Sequence, residues 1–71
     1  MSQRRIGIAV RVRKLREAQG FSQAALAKKA RVSQPYLSQL EAGTRGNKSP
    51  GIVILQRLAK ALGVPLTALL S

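Results

Sequence analysis

The chain has 71 residues and a formal net charge of +11, with thirteen Lys and Arg against only two acidic residues. It holds no Cys and no His, and both acids are glutamates, Glu17 and Glu41. Disulfide scaffolds and the usual zinc sites are therefore excluded, and paired carboxylates, His-based triads and hydrated Mg²⁺ sites lack their parts.

The first helix is predicted from about Arg5 to Gln19, because Ile8, Val12 and Leu15 recur at the spacing of one helix face. Gly20 is its stop and Phe21 an apolar plug after it. Ser22 is the N-cap of a second helix, Gln23 to Ala30, with Leu26, Ala27 and Ala30 inward. Ser33 caps a third helix, Gln34 to Ala42. Pro35 falls in its first turn, where the missing N–H costs nothing. Leu37 and Leu40 face inward and Gly43 ends the helix. A polar loop follows, and Ser49-Pro50 reads as N-cap and first residue of a fourth helix reaching about Leu62. Its core stripe is Ile52, Leu55, Leu58, Ala59 and Leu62. Gly63 stops it, and a last short helix runs from Leu66 to Leu70. The expected fold is all-α, a single domain over residues 1–71, with five helices and no strand.

The stretch from Ser22 to Glu41 carries most of the functional information. Two short amphipathic patterns stand back to back, each opening with serine then glutamine, and a tight break separates them at Arg31. This is the pattern of a helix-turn-helix over residues 22–42, with further helices over about 50–70. Counting from Gln23, positions four, eight, ten, fifteen and eighteen are Leu26, Ala30, Val32, Leu37 and Leu40. All are apolar, as the small core between two crossed helices requires. Ala27 at position five is small, which lets the third helix approach closely. Residues 34, 35, 38 and 39 fall on the outward face, opposite Leu37 and Leu40.

These segments resemble the Cro/C1 (Xre-type) phage-repressor family of helix-turn-helix regulators. The likeness rests on IGIAVRVRKLREAQGFSQAALA, VSQPYLSQLEAG and RLAKALGV, and it covers nearly the whole chain. It implies a five-helix fold, binding to double-stranded DNA and, commonly, a two-fold homodimer on a palindromic operator. By the same resemblance the base-reading positions fall on Gln34, Ser38 and Gln39, with Pro35 between them. Glutamine can bond adenine N6 and N7 bidentately, whereas Pro35 offers only an apolar contact. Gln23 matches the family's phosphate clamp, at the positive end of the second helix. Thr44, Arg45, Asn47 and Lys48 stand where the family often touches the DNA backbone. Tyr36 is read two ways: its ring packs on the core edge, or its hydroxyl reaches a phosphate. The resemblance also pairs Glu41 with Arg16, which accounts for an acid near a helix C-terminus, where it opposes the macrodipole.

Two departures stand out. The family turn usually carries Gly where this chain has Arg31, a strained choice if the backbone there is left-handed. Val53 and Ile54 replace residues that are usually polar. With Leu66, Leu69 and Leu70 they form a candidate apolar patch for a partner subunit.

A sequence-specific regulator, most simply a repressor, is the expected function. The alternatives are an antitoxin or other protein-interaction module with the same fold, and non-specific binding of polyanions by charge. An enzyme is not expected, and neither is a cofactor or metal. No apolar run approaches the roughly 18 residues of a membrane span, and residues 6–12 are too short and arginine-interrupted for a signal segment. No membrane partner is expected, and the expected compartment is the cytoplasm.

Overall fold

The four longer helices each begin after a residue in extended conformation and have their C-cap at, or one residue before, a residue in the left-handed region. The computed structural model describes residues 7–43 and 51–70. Five helices follow one another: α1 (Ile8–Ala18), α2 (Gln23–Ala30), α3 (Gln34–Ala42), α4 (Ile52–Leu62) and α5 (Thr67–Leu70). Among the described residues there is no strand, and no helix is long and apolar enough to cross a membrane.

The start of α1 differs from the expectation. Gly7 is extended, with φ −71° and ψ 165°, so the helix begins at Ile8. Arg5 lies outside the described residues. The serine caps of α2 and α3 use one device twice. Ser22 Oγ accepts from the Ala25 N–H at 3.0 Å, and Ser33 Oγ from the Tyr36 N–H at 3.1 Å. Each satisfies one donor that a helix N-terminus leaves orphaned. Arg31 ends α2 in the left-handed region, at φ 61° and ψ 43°. It is the one non-glycine with positive φ among the described residues.

The start of α4 also differs. Gly51, not Ser49, is the N-cap, with φ −66° and ψ 158° and no side-chain cap. Ser49 and Pro50 lie outside the described residues. Glycine is a poor helix former, so leaving it extended costs less than winding it into the first turn. Gly63 closes α4 at φ 69°, and α5 is a single turn that begins at Thr67 rather than Leu66.

The core is one cluster to which every helix contributes: Val12 from α1, Leu26, Ala27 and Ala30 from α2, Leu37 and Leu40 from α3, Leu55, Leu58, Ala59, Ala61 and Leu62 from α4, and Leu69 from α5. Helix α2 packs on both α3 and α4, while α1 packs on α3, α4 and α5. Ala27 and Ala30 bring only methyl groups to this core, so the neighbouring helices come close. Phe21 is half-buried against the same cluster, and the Lys29 ammonium sits 5.1 Å from the centre of its ring. Gln19 Nε2 donates to the Leu62 carbonyl at 2.6 Å, joining the end of α1 to the end of α4.

Two expected roles are corrected by burial. Ile52 belongs to the α4 stripe by periodicity, yet it is 53% exposed. It stands in the first turn, where helix spacing fixes a direction but supplies no neighbour. Leu69 was expected in a surface patch and is instead fully buried. One-turn α5 packs on α1 and α4, so its inward leucine belongs to the core.

Candidate nucleic-acid interface

Helix α3 is divided cleanly by burial. Leu37, Leu40 and Glu41 are buried, whereas Gln34, Pro35, Ser38 and Gln39 are all exposed. The exposed residues form two rows four residues apart, 34 with 38 and 35 with 39, side by side on one face. The face is uncharged, since the only ionisable acid or base of α3 besides Tyr36 is the buried Glu41. Tyr36 is half-buried and packs against the core cluster.

An ion pair behind this face fixes the helix in place. Arg16 Nε donates to one Glu41 carboxylate oxygen at 2.7 Å and its terminal nitrogen donates to the other at 2.9 Å. The second terminal nitrogen of Arg16 donates to the Phe21 carbonyl at 2.8 Å. The Glu41 side chain is 2% exposed and that of Arg16 12%. Bidentate geometry of this kind restricts rotation as well as separation. Hydrogen bonding to Glu41 raises the Arg16 pKa, partial burial opposes the rise, and attraction to Glu41 and Glu17 adds to it. The guanidinium therefore stays charged, and the stabilisation that its raised pKa represents is lost only at pH beyond the ordinary arginine range.

Gln23 is the residue whose surroundings were not visible in the sequence. Its Nε2 donates to Glu41 Oε1 at 3.1 Å. The side chain thus leans across the start of α2 toward the ion pair, and one of its two amide hydrogens is committed there. Gln23 and Ser38 line the same depression of about 270 Å³, with Arg13 and Glu17 also on its wall. One expected base-reading residue of α3, Ser38, therefore stands beside the expected phosphate-clamp residue of α2. Arg13 was not singled out from the sequence. It is largely exposed and lies 3.6 Å from Glu17, one turn along α1. Only the packing of α1 on α3 reveals that it borders the depression. Thr44, Arg45, Asn47 and Lys48 lie outside the described residues.

Of the residues expected at a subunit contact, Val53 is 54% and Leu70 52% exposed. Ile54 and Leu66 are half-buried against the core. With Ile52, they leave apolar surface on the first turn of α4 and on α5.

Comparison with known proteins agrees with this geometry. The family model described as helix-turn-helix (HTH_3) matches residues 12–69. The chain is 40% identical over 60 residues to the HTH-type transcriptional regulator RamB of Mycobacterium tuberculosis, covering 84% of this chain. It spans 12% of the length of RamB. Among solved structures, the biofilm regulator SinR in complex with DNA superposes with a TM-score of 0.83 at 34% identity, covering 90% of this chain and 98% of that one. The restriction-modification controller protein C.AhdI from Aeromonas hydrophila gives 0.77 at 32% identity, covering 87% and 89%. The matched family and these neighbours are transcriptional regulators rather than enzymes. The chain belongs to the helix-turn-helix family of Cro/C1-type DNA-binding transcriptional regulators.

Proposed function

We propose that this chain reads a palindromic operator as a homodimer, with one copy of α3 in each of two successive major grooves, and that it represses by occluding the site. The observation that carries the reading is the uncharged, exposed face of Gln34, Pro35, Ser38 and Gln39 on a helix anchored from behind through Glu41. Amide side chains on a rigid helix suit base edges, where hydrogen-bond patterns differ between base pairs. They would add little to binding driven by charge alone. The likeness to SinR, solved with DNA bound, supports the same placement.

Phosphates would be held around this face. The backbone N–H groups at the start of α2 and the second amide hydrogen of Gln23 can take one. Tyr36, Thr44, Arg45, Asn47 and Lys48 are assigned to others. Apolar exposure at Ile52, Val53 and Leu70 supports the subunit contact, with Ile54 and Leu66 at its margin. The same exposure favours a second reading, in which these residues hold a different protein.

Selection from a random duplex library at near-physiological salt, followed by sequencing, tests the proposal. A palindrome with half-sites about 34 Å apart is expected. Binding without enrichment that vanishes as salt rises would overturn it.

A further inference from the structure

Lys29, Arg31, Arg57 and Lys60 surround a groove of about 470 Å³ between the end of α2 and the second half of α4. All four are exposed. The remaining wall is Ala30 and Ala61, both buried in the core. No side chain longer than a methyl group occupies the floor. Arg57 reaches across the seam, its terminal nitrogen 3.4 Å from the Arg31 carbonyl, so cations from two helices are held on one concavity.

Among the described residues no carboxylate lines this groove, although the Lys29 ammonium also rests over the Phe21 ring. The sequence has two acidic side chains, Glu17 and Glu41, and both lie against Arg16. Neither lines the groove. Helix dipoles account for part of the arrangement, because Lys29 stands in the last turn of α2 and Lys60 in the last turn of α4. Each helix end supplies only about half a negative charge, so a surplus of about three positive charges remains. A ligand matched to that surplus carries about three negative charges in a small space. A groove of this volume lies in the range of about 300–1,000 Å³ that holds small ligands. Duplex DNA spreads its charge along the helix axis, whereas a chain of phosphoryl groups concentrates it.

We propose that the α2–α4 groove binds a compact polyphosphate, either inorganic or as the tail of a nucleotide. The site is separate from the α3 face, and it stands whether or not the operator-reading proposal holds.

The test is a titration of the ¹⁵N-labelled full chain at near-physiological salt, with inorganic tripolyphosphate in one arm and ATP in the other. Saturable shifts centred on residues 29–31 and 57–61 are expected. Arg57→Gln/Lys60→Gln should bind at least tenfold more weakly. Arg11→Gln/Lys14→Gln removes the same charge from α1 and should bind like the parent. The groove variant relieves repulsion, so its melting temperature should match or exceed the parent's, and Lys60→Gln alone serves if it does not. Equal affinity for both ligands assigns recognition to the phosphoryl chain. Tighter ATP binding assigns it to a nucleotide, and tripolyphosphate binding alone to the inorganic anion. Equal weakening by both double variants, or shifts spread without saturation over all the basic helices, would overturn the proposal. So would a short duplex that protects residues 57–61 where neither polyphosphate does. Operator selection with the groove variant separates the two proposals, because its enriched sequence should be unchanged while Gln34→Ala alters it.

Discussion

Arg16 meets the Glu41 carboxylate with two parallel hydrogen bonds, 2.7 and 2.9 Å long, across the contact between α1 and α3. Removing one partner leaves the other charged and nearly without water, which typically costs about 3–5 kcal/mol. A domain of this size has little more than that to lose. Glu41→Gln should therefore lower the melting temperature sharply, or unfold the chain. Replacing both residues by apolar ones, Arg16→Met/Glu41→Leu, should cost less than either single change, because no buried charge is stranded. Thermal melts of the parent, Arg16→Met, Glu41→Leu and the double variant complete the cycle, and an unchanged midpoint in Glu41→Gln would refute the account.

Arg31 is held left-handed at φ 61° without the advantage of being glycine. For an L-residue with a side chain this conformation costs about 1–2 kcal/mol. Glycine gives some of that back through its freer unfolded state. Arg31→Gly should still stabilise the chain, by about 1 kcal/mol, in urea denaturation. A clear loss of stability would mean that the Arg31 side chain contributes contacts outweighing the strain.

The glutamines of α3 are expected to specify and not merely to attract. Gln34→Ala or Gln39→Ala should weaken binding to the selected operator by about 1–3 kcal/mol and relax the preference at a defined base pair. The dependence on salt should stay the same, since no cation is lost. Uniform weakening over all sequences would move these residues from base reading to backbone contact.

Val53 and Leu69 offer a matched pair of substitutions. Val53 is more than half exposed and Leu69 fully buried. Val53→Lys should leave the fold intact while shifting light scattering toward the monomer and reducing operator affinity at least tenfold. Leu69→Ala should instead destabilise the monomer itself, by about 2–5 kcal/mol. A Val53→Lys chain that still dimerises would place the subunit contact elsewhere.

The bounds of α2 and α3 were legible because their punctuation is local: a serine cap, then a left-handed residue, Arg31 or Gly43. What depends on a neighbour was not. Ser22-Gln23 and Ser33-Gln34 look alike in sequence, yet Gln23 turns toward Glu41 while Gln34 stays exposed. The difference comes from α1, which presents Arg16 and so draws Glu41 to the start of α2. Ile52 and Leu69 each had the right apolar character and the wrong burial, because periodicity assigns a face and not what covers it. The basic groove joins residues 29 and 31 to residues 57 and 60, a pairing that only the packing of α2 on α4 creates.

The bond from Gln19 to the Leu62 carbonyl has a mechanical consequence. It ties together two helix ends that are 43 residues apart in sequence. Helix α1 already grips α3 through Arg16, while α4 carries the exposed Ile52 and Val53. If a second molecule docks on α4 as proposed, a load applied there has a bonded route through α1 to the outward-facing α3, by way of Gln19–Leu62 and Arg16–Glu41.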